Sequence, residues 1–349
     1  MEELLPKDNE NIPFFDDEPV ARLEPQGFAP DQMVRCEECL RANAPTRLDC
    51  LYCGTALLLD EKTADLRKPT LKPIDQSARG FNNIFLPHGA SNFNPEIVSE
   101  AASLLKLSTS DLDRILATGI ALPLARTATL AEALLIHSRL EALGLNTEIV
   151  SDTDLALQES PPIRVRALVI DETGVTAIPI AAADGIQIPW QNFVLLVTGR
   201  LTTNRVELTE RKVRGRENEI LEADHFFADE GVVDLYYEQK VGNLRIRASG
   251  FDFSCLPQKS LTVAENLALL IKLLREKAPA AEYDDSYDLV HKALELVLPS
   301  EQQTESRGWR RQGLGKYAIE AATEVTNEVQ FTRYSRLRYH FKTKSSGSS

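Results

Sequence analysis

The chain has 349 residues, with 39 Lys and Arg against 52 Asp and Glu and a formal net charge of −13. That length suits two or three domains, and 43 % hydrophobic content is enough for real cores. The acidic balance excludes wholesale binding to nucleic acid or to an anionic membrane surface, and no run approaches the ~18–20 apolar residues that span a bilayer.

Residues 1–34 read as a disordered acidic tail. Nine carboxylates through residue 35 face only Lys7, Arg22 and Arg35, and five prolines interrupt any regular pattern. Ile12-Pro13-Phe14-Phe15-Asp16-Asp17 is a candidate docking motif within it, and the plainer reading is a solvated acidic tail. The first residues carry no basic and then apolar segment of the secretory kind, so a cytoplasmic chain with reduced thiols is expected.

Four cysteines then fall in two tight pairs: Cys36 and Cys39, ten residues, then Cys50 and Cys53 with Gly54 behind them. Each C-x2-C pair can wrap as a knuckle that turns two thiolates toward one ion. Two knuckles on a short hairpin supply four sulfurs in tetrahedral array, the preference of Zn²⁺. Gly54 suits a knuckle end, where the backbone often needs positive φ. Disulfides and a single iron are the alternatives; the expected reducing compartment disfavours the first, and zinc is the commoner occupant of such a site. Four sulfurs leave no open coordination position, so the expected role is structural. Residues 35–58 thus resemble the rubredoxin-like zinc ribbons, over about 25 residues, and on that count the whole chain resembles a bacterial zinc-ribbon protein.

Residues 59–80, with Pro69 and Pro73, read as a linker. Residues 81–152 read as a small β-α-α-β-α-β domain. A strand at 81–86 precedes a helix opened by Pro95, with Ile97, Val98, Ala101, Leu104 and Leu105 at helical spacing. Ser108 to Asp111 supply caps for a second helix with Leu112, Ile115 and Leu116 inside, ended by Gly119. Thr129 caps a third, carrying Ala133, Leu134, Ile136, Leu140 and Leu143 and stopped by Gly144. Strands at 121–125 and 146–150 complete the unit. This order resembles the C-terminal domain of the bacterial ribosomal stalk protein, through the helix at 107–119, Pro123-Leu124-Ala125, Ala131-Glu132-Ala133 and Leu140-Glu141-Ala142-Leu143-Gly144 before Glu148-Ile149-Val150. A protease adaptor that reads destabilising N-termini shares the fold. The resemblance implies a protein-docking module. The stalk domain presents lysines on its first two helices, whereas this chain has only Lys106 and Arg114 among Glu96, Glu100, Asp111 and Asp113, which implies a different partner surface.

Residues 160–278 are β-rich. Strands are expected at 164–170, 175–180, 193–201, 205–212, 220–227, 232–238 and 244–248, with Gly174, Gly185, Gly215, Gly231 and Gly242-Asn243 as turns. A helix follows at 263–277 with Leu267, Leu270, Ile271 and Leu274 on one face. Seven short strands closed by one helix, and the piece Ile188-Pro189-Trp190-Gln191-Asn192-Phe193, resemble an antiparallel pleckstrin-homology-like barrel. Such barrels mostly bind peptides or serve as scaffold. The expected class is therefore multidomain α+β.

Residues 279–349 read as a helical and basic tail with a disordered end from Lys344. Helices are expected at 284–298 and 317–325. From residue 300 nine basic residues face five acids, and Arg307, Arg310, Arg311, Arg333, Arg336 and Arg338 interleave with aromatics in a way that suits phosphate and base contacts. Against that, Phe331, Tyr334 and Leu337 fit one helix face and the alternate residues fit a strand, the mark of an edge element packed on the barrel. His88, His137, His225, His291 and His340 are scattered without metal-ligand spacing, Cys255 reads as an inert buried thiol, and no phosphate-binding or nucleophile motif is present. The expectation is a cytoplasmic, non-enzymatic, Zn²⁺-binding adaptor or scaffold whose partner is another protein. The alternatives are a nucleic-acid- or ribosome-associated factor, using the ribbon and the basic tail, and an enzyme with an unrecognised barrel site.

Overall fold

The structure is a computed structural model that describes residues 27–57, 66–76, 78–87, 93–182, 184–211, 219–238, 243–313 and 316–347. The acidic motif at 12–17, residues 59–65 and 77 of the expected linker and His88 lie outside them. Two compact units divide the chain, residues 1–67 and 68–349. In the first, β1 (Val34–Arg35) pairs antiparallel with β2 (Ala42–Asn43), and a single bridge joins Asp49 to Ala56.

The second unit begins on an α/β layer with the expected element order: β3 (Phe81–Phe85), α1 (Pro95–Leu105), α2 (Thr109–Ala117), β4 (Leu122–Thr127), α3 (Leu130–Ala142) and β5 (Thr147–Ser151). The cap residues do what their chemistry dictates. Asn94, Ser108 and Thr129 accept hydrogen bonds from the backbone N–H groups of Glu96, Asp111 and Glu132, which would otherwise lack partners in the first turn. β3 lies between β4 and β5, antiparallel to both. Val98, Leu105, Leu112, Ile115, Ile136 and Leu140 bury the inner faces of the three helices. The stretch before β3 is tied to this layer: buried Glu132 accepts from the Thr70 and Leu71 N–H groups, and Arg126 donates to the Asp75 carbonyl.

The remaining elements are β6 (Ile163–Ile170), β7 (Gly174–Pro179), β8 (Ile186–Pro189), β9 (Phe193–Arg211), β10 (Glu219–Tyr237), β11 (Leu244–Arg247), α4 (Val263–Lys277), β12 (Glu282–Asp284), α5 (Tyr287–Leu294), β13 (Glu301–Gly313), β14 (Lys316–Thr326) and α6 (Glu328–Gly347). They build a curled half-barrel sheet in the order β13-β14-β9-β10-β11-β6-β7-β8, with β12 alongside β9. Among the described residues this path does not close on itself. The chain is thus mixed α+β with six described helices.

Three details depart from the sequence reading. First, the strands expected at 193–201 and 205–212 run together as β9, and those at 220–227 and 232–238 as β10, paired along nearly their whole length. Gly231 is not a turn. A Cβ there would meet Leu267 Cδ2 at 2.5 Å, so the missing side chain lets α4 approach the strand. Second, the segment expected as a helix at 317–325 is β14. Tyr317, Ile319, Thr323 and Val325 repeat with period two, and nine residue pairings with β9 override the helical tendency of the intervening alanines. Third, α6 continues to Gly347, past Lys344 where composition suggested disorder.

Side-chain alternation explains where the core lies. Leu195 and Val197 of β9, with Val232 and Tyr236 of β10, face a cluster that includes Tyr287, Val290, Phe331 and Tyr334 of α5 and α6. Leu196, Val233, Leu235 and Tyr237 join the opposite cluster with Leu267, Leu270 and Leu274 of α4. Both faces are covered here, so the strands read as continuous apolar runs. α6 is fixed by three buried carboxylates. Asp234 (0 % exposed side chain) takes a two-pronged contact from Arg245 (1 %) at 2.7 and 2.8 Å, and Ser335 of α6 donates to the same carboxylate at 2.8 Å. Arg245 also reaches Thr332 and Glu328 of α6. Asp284 accepts from Tyr334 and pairs with Arg338. Asp152 is shared by Arg126 and Arg333.

Removing one partner of such a buried pair strands the other charge in a medium that solvates it poorly. Asp234→Ala should therefore cost about 3–5 kcal/mol, read as a lower midpoint of urea unfolding. A loss under about 1 kcal/mol, the scale of an exposed pair, would mean that Asp234 does not anchor α6.

Candidate metal centre

Each C-x2-C pair sits on a short loop closed by backbone hydrogen bonds. The Leu40 N–H donates to the Cys36 carbonyl at 2.9 Å, and the Cys36 N–H to the Arg41 carbonyl at 3.0 Å. The second loop repeats this: the Gly54 N–H donates to the Cys50 carbonyl at 3.0 Å, and the Cys50 N–H to the Thr55 carbonyl at 2.8 Å. The residue after each pair has left-handed backbone geometry, φ 58° at Leu40 and φ 76° at Gly54. The glycine was legible as a knuckle end. The leucine was not, because its Cβ disfavours that geometry.

The two loops bring all four sulfurs within 4.8 Å of one another. Cys36 and Cys53 Sγ are 3.6 Å apart, and Cys39 and Cys50 Sγ 3.5 Å. A tetrahedron of sulfurs each about 2.3 Å from a central ion has edges of about 3.8 Å, so the set can hold one metal ion. A disulfide would need about 2.05 Å, and all four are free cysteines. Cys36 and Cys50 are buried, Cys39 is half-buried and Cys53 exposed.

The surroundings shift three of the four thiols unequally. At Cys50 burial opposes ionisation, but the Tyr52 and Cys53 N–H groups and the Asn43 amide hold its pKa down to about 6. The Thr55 hydroxyl and N–H lower that of Cys53. At Cys39 the Arg41 N–H favours the thiolate, but burial and the three neighbouring sulfurs push the pKa up to about 12. Sequence reading missed two supports. Asn43, buried in β2, donates Nδ2 to Cys50 Sγ at 3.4 Å and accepts from the Leu51 N–H at 2.8 Å. Arg67, wholly buried, donates to the carbonyls of Pro45 and Leu57 at 3.0 and 3.3 Å. A single polar residue in a two-residue strand and a basic residue far along the chain give no local signal.

The loops also present apolar side chains to solvent. Leu40, Leu51 and Tyr52 are 60, 63 and 52 % exposed, and the Arg41 guanidinium lies 4.8 Å from the Tyr52 ring centre.

The other candidates are not gathered into a site. Arg333 and Arg336 are buried; Arg333 pairs with Asp152, and Arg336 donates to the Ser160 carbonyl. Arg338 pairs with Asp284. Arg333 and Arg336 point inward, and Arg338 is partly exposed. Arg307, Arg310 and Arg311 lie in β13, and their side chains are outside the described ones. His137 Nδ1 is 2.7 Å from Thr147 Oγ1, His291 Nδ1 is 3.0 Å from the Asp288 carbonyl, and His340 lies 3.8 Å from Glu148. His225 is exposed, and burial pushes up the pKa of the half-buried Cys255 thiol. Among the described residues, the four cysteines are the one group of three or more Cys, His, Asp or Glu placed to share an ion.

Comparison with known protein families, curated proteins and solved structures finds no match for the chain.

Leu40→Gly should relieve about 1 kcal/mol of backbone strain and so raise metal affinity about fivefold in a chelator competition. Weaker binding would show that the leucine side chain supports the loop.

Proposed function

We propose that the chain is a zinc-binding, non-enzymatic adaptor of the cytoplasm that docks other proteins. The observation that carries this is the closed set of four sulfurs. Cys36, Cys39, Cys50 and Cys53 would fill all four positions around Zn²⁺, in the manner of a rubredoxin-like zinc ribbon, and leave none for a substrate or an attacking water. Zinc suits the site because it imposes no geometry beyond the tetrahedron that the loops provide. Its role is to hold the ribbon's fold, since the energy of binding the ion is also energy of folding.

Exposure of Leu40, Leu51 and Tyr52 around Arg41 supports the docking role. A small unit that can bury little apolar surface nevertheless leaves three large side chains in water, and exposed apolar patches of that kind mark interaction surfaces. Burial of Arg333 and Arg336, with the pairing of Arg338 to Asp284, weighs against a nucleic-acid surface on α6. No described helix is long and apolar enough to cross a membrane.

Two substitutions separate metal from docking. Cys36→Ser with Cys50→Ser should abolish bound zinc, read by elemental analysis, while the 68–349 unit keeps its unfolding transition. Leu51→Asp with Tyr52→Ala should keep one zinc per chain yet lose the proteins that the intact chain co-purifies. Identical co-purifying proteins for both chains would sink the docking role; stoichiometric metal in the double serine variant would sink the four-sulfur assignment.

A further inference from the structure

Within the 68–349 unit, a cavity of about 270 Å³ lies between the segment after Lys68, the α1–α2 turn, β4 and the residues that follow α5. Most of its lining residues are apolar: Leu105 and Leu124 are buried, and Leu71, Leu107 and Val297 half-buried. Three cations line it, Lys72, Lys106 and Arg126, and none of its lining residues is a carboxylate. In a chain of net charge −13 such a cavity is not a random sample of the surface.

The backbone adds a second, independent observation. Only four described residues other than glycine have positive φ, and two of them, Leu71 (43°) and Lys106 (56°), line this cavity. Lys106 ends α1, with the Leu107 N–H returning to the Ala102 carbonyl at 2.9 Å. This kind of helix end favours glycine, which adopts positive φ without strain. Lysine stands there instead, and its ammonium reaches the Thr70 carbonyl at 2.6 Å, beside Leu71. Leu71 is held by Glu132, which accepts from its N–H. Backbone strain retained where a plain glycine would remove it is typical of ligand sites.

Hydrogen bonding in the wall is also incomplete. Arg126 is buried, pairs with Asp152 and donates to the carbonyls of Asp75 and Ala78. Its Nε is buried and has no hydrogen-bond partner among the described residues, and a buried donor left unmatched is costly.

We propose that this cavity binds a small free carboxylate with an apolar tail, its charged end toward Lys72, Lys106 and Arg126 and its tail against Leu105, Leu124 and Val297. An apolar pocket with a few convergent polar groups is the common form of a small-molecule site, and the absence of acids from its lining sets the sign of the ligand's charge.

The test is calorimetric titration of the full chain with octanoate, with octylammonium and 1-octanol as probes of the same tail. Octanoate should bind saturably at one site in the millimolar range or below, and octylammonium should not. Lys72→Glu, at an exposed position, should weaken octanoate at least tenfold. Lys106→Gly should do the same while leaving the thermal midpoint unchanged or higher, because glycine relieves the positive φ; a lysine that only capped the helix would show no affinity loss. No saturable octanoate binding, equal binding of octylammonium or 1-octanol, or octanoate affinity unmoved by both substitutions would each overturn the assignment.

Discussion

Four sulfurs within 4.8 Å of one another set the terms on which the first unit can exist. Ionised together they repel, and only a cation among them turns that repulsion into attraction. Among the described residues little else holds this unit. Its buried cluster is Cys36, Cys50 and Leu57, with Val34 and Cys39 packed against it, far less than a self-sufficient core. The backbone of both loops serves the sulfurs: N–H groups reach the cysteine carbonyls, the Tyr52 N–H points at Cys50 Sγ, and Asn43 completes the hydrogen bonding of the same sulfur. The strained leucine after the first pair belongs to the same logic, since the loop geometry is imposed and the residue accommodates it.

The second unit solves a different problem, how to bury a strongly basic helix. α6 carries Arg333, Arg336 and Arg338 on positions that face the protein, beside Phe331, Tyr334 and Leu337. Desolvating guanidinium groups is costly, so each needs an acceptor already in place. Asp152 comes from the end of the α/β layer, Asp284 from β12 and the Ser160 carbonyl from the chain between the layers. Asp234 and Arg245 add a pair that reaches α6 through Ser335, Thr332 and Glu328. These contacts to α6 join residues 54 to 181 positions apart. They make the C-terminal helix part of the core and not an appendage.

Legibility in the sequence followed the range of the forces involved. The four cysteines, the caps at Ser108 and Thr129, and the order of the α/β layer depend on residues a few places apart, and they were readable. That Phe331, Tyr334 and Leu337 pack inward was readable, but not whether they do so from a helix or a strand. Its arginines invited the opposite inference, because a basic, aromatic stretch looks the same whether its partners are phosphates or distant aspartates. β10 was cut in two in the sequence reading at Gly231, whose missing side chain admits Leu267 and makes no turn. β14 was hidden by its alanines, since its pairing with β9 is set by residues about a hundred positions away. Asn43 and Arg67 support the sulfur loops through contacts that no spacing rule encodes.

The most direct test of the account is X-ray absorption at the zinc edge, with metal stoichiometry, on the full chain purified without added metal. The account predicts one zinc per chain in a shell of four sulfurs at about 2.3 Å. Iron in place of zinc, nitrogen or oxygen in the first shell, or a metal-free chain whose first unit is nevertheless folded would contradict it.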